Sequence, residues 1–297
     1  MKKVGFVSII GRPNVGKSTL LNHILREKIA ITSNKPQTTR KNLRGIFTDN
    51  RGQIIFVDTP GLHKPHHLLG EELIKFAKNS LEDTDVILFV ADASEDIGKG
   101  DLYILENILL NINKPVILLL NKIDKIPKKE RNKYLENYLK SYNFKSYYLI
   151  SAKHGDNLEL LINEVFSLLP EGELLYNEDE LTDTTIRDIV GELIREEIFR
   201  QLGDELPHCS AVYIESFKEK EEKKLTVIEA KIFVERESQK RIIIGKEGKK
   251  IKEIGENSRK KIEELLNNKV YLDLRVKVLK NWRNNKKELK KLGYIVE

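Results

Sequence analysis

Five aliphatic runs in the first 170 residues set the tightest limit on the fold: VGFVSII from Val4, Ile54–Asp58, Val86–Asp92, Val116–Lys122 and Tyr147–Ser151. None alternates apolar with polar residues, so each needs cover on both faces, the condition of strands inside a parallel sheet. The stretches between them, Lys17–Arg26, Leu69–Leu81, Leu102–Asn111, Lys129–Ser141 and Asn157–Leu169, space their apolar residues near one helical turn and predict helices. Strand and helix in alternation predict a doubly wound, mostly parallel α/β sheet, whose ligands gather at the carboxyl ends of the strands.

At 297 residues the chain is long enough for a second domain. The segment Pro170–Glu173 closes the first half, and Tyr176–Asp183, polar and acidic, reads as a linker. Apolar residues at Ile186, Ile189, Val190, Leu193, Ile194, Ile198 and Leu202 form a helical stripe, with Gly203 as its stop signal. Ser210–Phe217 and Leu225–Glu235 alternate and predict a hairpin with a charged tip. A Gly-x-x-Gly element, a basic helix over Lys249–Leu266, a strand over Val270–Leu279 and a short terminal helix follow. The expected layout is a first domain over 1–172, a linker and connecting helix over 173–200, and an α+β second domain over 201–297.

Composition removes several function classes. A single cysteine, Cys209, excludes a disulfide framework and any multi-cysteine zinc or iron–sulfur site. Apolar runs such as Val86–Ala91 and Val116–Leu120 are far shorter than the ~20 residues that span a bilayer. The opening MKKVGFVSII runs straight into a glycine-rich turn and reads as a first strand rather than a signal peptide, so a cytoplasmic location is expected. Formal net charge is +6, yet Lys240–Lys261 alone carries +6 and Arg275–Lys291 carries +7, leaving the rest of the chain at −7. An excess so localised fits a polyanion, either nucleic acid or an anionic membrane surface.

The segment Gly11-Arg12-Pro13-Asn14-Val15-Gly16-Lys17-Ser18 follows the first strand and opens the first helix, the setting that G-x-x-x-x-G-K-[ST] requires. Its glycines let backbone N–H groups curl around phosphate oxygens, Lys17 reaches the β- and γ-phosphates, and the Ser18 hydroxyl ligates Mg²⁺. Asp58-Thr59-Pro60-Gly61 closes the second run, where a carboxylate can hold Mg²⁺ through water and the Gly61 N–H can face the γ-phosphate. Asn121-Lys122-Ile123-Asp124 ends the Val116 run; Asp124 can accept from N1–H and the exocyclic amine of guanine, a pair adenine lacks. Ser151-Ala152-Lys153 ends the last run, with the Ala152 N–H placed to donate to guanine O6. All four motifs in this order, each at a strand's carboxyl end, specify GTP and GDP as ligands.

These motifs, with Gln37-Thr38-Thr39-Arg40, resemble the Era/EngA/MnmE branch of the translation-factor-like P-loop GTPases. The resemblance implies Mg²⁺-dependent hydrolysis of GTP by Lys17, Thr39, Gly61 and Asn14, with Ser18, Thr39 and Asp58 around the metal; Thr38 competes with Thr39 for that place. It implies a potassium ion beside the phosphates, held with help from Asn14. Leu62 stands where many GTPases carry a water-orienting glutamine, so slow intrinsic turnover is expected. His63, His66 and His67 have no carboxylate or cysteine companions and read as solvated loop residues.

In the second half, Ile242-Ile243-Ile244-Gly245-Lys246-Glu247-Gly248-Lys249-Lys250-Ile251 resembles the core of a KH domain, and the order helix, two strands, Gly-x-x-Gly, basic helix, strand fits the type II arrangement. Bare glycines there let nucleotide backbone approach main-chain N–H groups, with Lys246, Lys249 and Lys250 toward phosphate and Ile244 and Ile251 seating the two helices. Glu247 inside the loop departs from that logic, since an acid repels phosphate. Trp282, Tyr271 and Tyr294 are the aromatics available for base stacking, with helix or core packing as the competing role.

The whole layout, through the Lys277–Tyr294 tail, resembles the Era members of the branch. What this implies is a monomeric GTPase that binds the 3′ region of 16S rRNA and assists assembly of the small (30S) ribosomal subunit, with peripheral association at the inner face of the cell membrane. One competing reading is a membrane-associated regulatory GTPase of cell division whose basic face binds anionic lipid. A tRNA-modifying GTPase is disfavoured, because no segment with a catalytic cysteine is present.

Overall fold

The computed structural model describes residues 1–32, 40, 43–62, 65, 67–203, 206–220, 222 and 224–295. The chain divides into two compact units, Met1–His66 with Gly70–Asp183, and Thr184–Glu297 with His67–Leu69.

In the first unit, β1 (Lys2–Ile10) is followed by α1 (Lys17–Leu25), β2 (Leu43–Asp49), β3 (Gly52–Asp58), α2 (Leu68–Glu82) and β4 (Val86–Asp92). Then come α3 (Lys99–Ile104), β5 (Val116–Asn121), α4 (Leu135–Ser141), β6 (Ser146–Leu149), α5 (Leu158–Leu168) and the two-residue β7 (Glu171–Gly172). The sheet order is β2-β3-β1-β4-β5-β6, with β7 antiparallel to the start of β1. Every pairing from β3 to β6 is parallel, as Val7↔Phe56 and Val90↔Leu119 illustrate. The aliphatic runs hide a real alternation: Val86, Leu88 and Val90 of β4 enter one core while Ile87, Phe89 and Ala91 enter the other. Burial at ~1.5–3 kcal/mol per large apolar side chain makes β4 a main source of stability, and Phe89→Ala would cost about 3–5 kcal/mol.

Three expectations change here. β2 is an additional antiparallel edge strand, in register Leu43↔Asp58. The helix expected over Lys129–Ser141 shrinks to Leu135–Ser141, because Leu135 and Tyr138 are its buried anchors and the charged residues before them have no apolar face to dock. The third helix begins at Lys99 and passes into a π-helical turn over Leu105–Leu109.

The linker expectation also changes. Leu175 and Tyr176 donate their N–H groups to the buried Gln53 side chain at 2.9 and 3.0 Å, and Ile46 N–H donates to Leu181 O at 2.8 Å. Thr182 Oγ1 donates to Arg44 O at 2.6 Å, so the segment up to Asp183 belongs to the first unit.

The second unit contains α6 (Ile186–Gln201), α7 (Leu206–Cys209), β8 (Ala211–Lys220), β9 (Leu225–Val234), α8 (Glu237–Ile244), α9 (Lys249–Leu266), β10 (Lys269–Val278) and α10 (Lys286–Lys291). The helix assigned from sequence to the connector is a core element: α6, capped by Thr185, buries Val190, Ile194 and Ile198 with Ile228, Ile232, Ile254 and Ile262. The sheet runs β10-β9-β8, with β8/β9 antiparallel and β9/β10 parallel. Lys261 of α9 reaches both Glu196 and Glu197 of α6 at 2.5 Å, neutralising two buried carboxylates. Trp282 is fully buried, donates Nε1–H to Cys209 O at 3.1 Å and stacks on Tyr294, so both aromatics are packing residues. Tyr271, by contrast, is exposed. Among the described residues no helix is long and apolar enough to cross a membrane.

Candidate nucleotide site and nucleic-acid interface

The loop from Gly11 to Ser18 leaves β1 and enters α1 at Lys17 with little freedom. A Cβ on Gly11 would lie 2.2 Å from Val90 O, and one on Gly16, at φ +103°, would lie 2.3 Å from Asn121 Nδ2. Asn14 also takes a left-handed backbone, at φ 65°. Lys17 turns back across the loop and donates to Gly11 O at 3.1 Å and Arg12 O at 2.9 Å. Burial pushes its ammonium down to about 8 against the pull of Asp58. This cation, held in place but short of anionic partners, is suited to meeting a phosphate.

Ser18 Oγ donates to Asp58 Oδ2 at 2.7 Å. A hydroxyl and a buried carboxylate brought together from α1 and β3 form a hard-oxygen pair that fits Mg²⁺, which uses one or two protein ligands and takes the rest from phosphate and water. No larger cluster of possible metal ligands occurs among the described residues. Thr59 spends its hydroxyl on Ile9 O at 2.9 Å, tying β3 to β1. Gly61 lies against Pro13: a Cβ there would be 2.8 Å from Pro13 Cα. Leu62 donates its N–H to Gly11 O at 3.2 Å and buries its side chain in the α2-side core, so a packing residue fills the place of the missing glutamine.

The base side is organised by Asn121. Its Nδ2 donates to Val15 O at 2.7 Å and its Oδ1 accepts from Ala152 N–H at 2.8 Å, so one buried amide joins the phosphate loop to the Ser151–Lys153 turn. Ala152 N–H, expected to face guanine O6, is therefore spent on Asn121. Ser151 Oγ donates to Asp124 Oδ1 at 2.7 Å and holds that exposed carboxyl below its usual range. Lys122, at φ 70°, sits 2.6 Å from Asp92. Burial works against ionising Asp92, but bonds from Lys122 and Ser94 outweigh it and lower its pKa. Ile123 packs in the core below the loop, and Lys153 is exposed.

Arg12 contributes backbone alone to the cradle: its guanidinium turns to Asp101 and Glu95. Thr38, Thr39, His63 and His66 lie outside the described residues.

In the second unit, Gly245 (φ +72°), Glu247 (φ 54°) and Gly248 (φ +75°) bend the chain sharply between α8 and α9. A Cβ on Gly245 would lie 2.6 Å from Lys250 Cβ, whereas one on Gly248 would meet nothing within 4 Å. Gly248 thus keeps open a surface that the fold itself does not occupy. Lys246, Glu247 and Lys249 are exposed, and Glu247 is 3.6 Å from Lys249, which turns its charge toward a lysine. Ile243, rather than Ile244, is the fully buried anchor; Ile244 and Ile251 pack at the margin of the core.

Sequence reasoning missed a groove of about 270 Å³ between α9 and β10, walled by Ile251, Leu272 and Leu274 with Lys252, Glu256 and Arg259 also lining it. Gly255, one helical turn after Ile251, lines it, but a Cβ there would meet Leu274 at an ordinary contact distance of 3.5 Å, so no residue type in α9 announces the groove.

Comparison with known proteins follows the same division. A family model described as 50S ribosome-binding GTPase matches residues 6–122, and a KH-domain model matches residues 205–283. GTPase Era of Caldanaerobacter subterraneus subsp. tengcongensis is 49% identical over 295 residues, 99% of each chain. A crystal structure of Era in complex with MgGDPNP and nucleotides 1506–1542 of 16S ribosomal RNA matches at TM-score 0.96, with 41% identity over the whole of both chains. A variant of Aquifex aeolicus Era bound to GDP·AlF4⁻ matches at TM-score 0.95 with 42% identity, over 99% of this chain and 100% of that one. With the motifs at the strand ends, the Gly-x-x-Gly turn and full-length identity in agreement, the chain belongs to the Era family of GTPases.

Proposed function

We propose that this chain binds GTP with Mg²⁺, hydrolyses it to GDP and phosphate, and through its second unit grips the 3′ region of 16S rRNA to assist assembly of the 30S subunit. The observation that supports the nucleotide half most is the Asn121 amide, which ties the phosphate loop to the base-reading turn. A ligand that fits one is thereby positioned for the other. Ser18 and Asp58 are the protein oxygens that would hold Mg²⁺, which when bound would offset the charge that develops on the phosphates during transfer. Lys17 gives up its loop carbonyls for phosphate oxygens, the Gly61 N–H meets the γ-phosphate, and Asp124 reads guanine. Leu62 supplies nothing to orient water, which leaves turnover slow. Asn14 would help to hold a potassium ion; a GTPase rate equal in potassium and in sodium would remove it from that role.

The RNA half is supported by the open Gly248 corner, the lysines beside it and the α9/β10 groove, a backbone clamp next to a slot for bases with aliphatic walls and charged residues beside them. Cross-linking the GTP-loaded protein to total RNA and sequencing the adducts tests it. Enrichment of the 16S 3′ end is expected; adducts spread over all RNAs would overturn the assignment. Changing Lys246 and Glu247 to aspartate should abolish those adducts and leave GTP binding intact. Vesicles of anionic lipid added as competitor should leave the adducts in place, and their displacement would favour the lipid reading.

A further inference from the structure

We infer that Arg12 and Asp101 form a positioning brace for the γ-phosphate sensor, fixing where Pro13 lies and, through Pro13, where the Gly61 amide lies. The inference rests on the guanine-nucleotide reading above and goes beyond it in assigning the discrimination of GTP from GDP to a pair outside the phosphate cradle.

Arg12 stands inside the loop, yet its side chain leaves it. Nε lies 2.9 Å from Asp101 Oδ1 and 2.8 Å from Oδ2, and Nη2 lies 3.1 Å from Glu95. Its aliphatic stem crosses Gly100, where a Cβ would be 2.7 Å from Arg12 Cδ. Asp101 is wholly buried and also accepts from Gly98 N–H at 3.1 Å and from the Tyr138 hydroxyl at 3.3 Å. A buried carboxylate is tolerated where charge-assisted donors surround it, and donors from the phosphate loop, from α4 and from the turn before α3 leave it one position. That position is passed on: Pro13 follows Arg12 directly, and Gly61 rests on the Pro13 backbone with no room for a methyl group. The Gly61 N–H has a partner in GTP that GDP lacks, so a displaced Pro13 penalises the triphosphate selectively. Lys122 is anchored separately through Asp92, which keeps base recognition out of the effect.

The test measures Kd for GDP and for the non-hydrolysable GDPNP, both with Mg²⁺, on the full chain. In the double variant Arg12→Gln/Asp101→Asn, which removes both charges together, GDPNP should weaken about tenfold, the equivalent of one net hydrogen bond, and GDP less than about threefold. Gly100→Ala keeps every charge and improves helix propensity, yet pushes the Arg12 stem aside; it should shift the GDPNP/GDP ratio in the same direction by a smaller factor. Equal weakening of the two nucleotides would reduce the pair to a fold contact and overturn the inference, as would an unchanged ratio in both variants. Should the double variant fail to fold, Gly100→Ala decides alone. A wild-type chain that bound neither nucleotide would overturn the nucleotide reading and the brace with it.

Discussion

The two units solve the same problem, gripping phosphate, by opposite means. In the first, the polar groups at the strand ends are tied to one another: Lys17 to loop carbonyls, Ser18 to Asp58, Asn121 to both Val15 and Ala152, Ser151 to Asp124. In the second, the Gly-x-x-Gly turn is held by backbone conformation and by Ile243 beneath it, while its lysines stay in solvent. The first is a preorganised hydrogen-bonded network whose parts fail together; the second is an open surface whose parts fail one at a time. The difference suits the ligands. A nucleotide is small and must be enclosed to be distinguished from its analogues, whereas an RNA strand is long and gains affinity by adding phosphate contacts.

The largest effect expected is at the exposed base-reading carboxylate. Asp124→Asn exchanges an acceptor for a donor opposite the guanine amine, and GTP affinity should fall about 10³-fold, the scale on which a hydrogen-bonding site rejects a mismatched ligand. Xanthine nucleotides, which offer a carbonyl at that edge, should be preferred by the variant. Thermal stability should stay near wild type, because Asp124 is outside the core. A titration showing less than about tenfold loss would remove Asp124 from base recognition.

Glycine substitutions set the two units side by side. Gly16→Ala adds strain at φ +103° to a 2.3 Å collision with Asn121, and should cost about 3–5 kcal/mol of stability together with nucleotide binding. Gly248→Ala meets nothing within 4 Å, so its cost is the left-handed backbone alone, about 1–2 kcal/mol, while RNA affinity falls about tenfold. Urea unfolding of the two variants checks the contrast. Equal destabilisation would mean that the second site is as embedded in its fold as the first.

How far each region could be read from sequence follows the same contrast. The phosphate loop, Asp58, Asn121–Asp124 and Ser151–Lys153 were legible because local chemistry dictates residue type at fixed spacing. The inner strands were legible because both faces are buried. β2 escaped because it is an edge strand: Leu43, Ile46 and Phe47 follow neither strict alternation nor a continuous run, and Gly45 interrupts them. Gln53 and Asp101 were illegible as fixtures, since a buried polar side chain declares itself through partners more than 80 residues away, Tyr176 and Arg12. The placement of α6 in the second unit depended on which sheet its stripe meets, and the α9/β10 groove on strand order; neither is local information.

Salt dependence probes the open surface with a moderate effect. RNA binding should weaken linearly with log salt, and removing Lys246, Lys249 and Lys250 together should reduce the magnitude of that slope by about two, at roughly 0.7 per phosphate contact on a single strand. The ion pairs Lys249–Glu247 and Lys250–Glu253 do not oppose this, since exposed pairs are worth about 1 kcal/mol at most and exchange readily for phosphate. A slope unchanged in the triple variant would place the RNA elsewhere on the basic surface.

The smallest effect belongs to the enclosed site, and its sign is diagnostic. Lys17 titrates near 8 in the nucleotide-free fold and near 10.5 when unfolded, because burial disfavours its charge more than Asp58 favours it. Between those values the unfolded chain holds more protons, so stability rises with pH across that window; below 8 both states are charged and the full burial cost is present. From pH 8 to 9 the gain should be about 1 kcal/mol, read as a shift in urea midpoint relative to Lys17→Met, which lacks the titrating group. Nucleotide should cancel the rise, because phosphate oxygens restore the charged ammonium, and binding at pH 9 should therefore take up close to one proton from solution. Calorimetry in two buffers of different ionisation enthalpy measures that uptake. Zero uptake would mean that phosphate does not contact Lys17, and the account of a cation held ready for phosphate would fail at its centre.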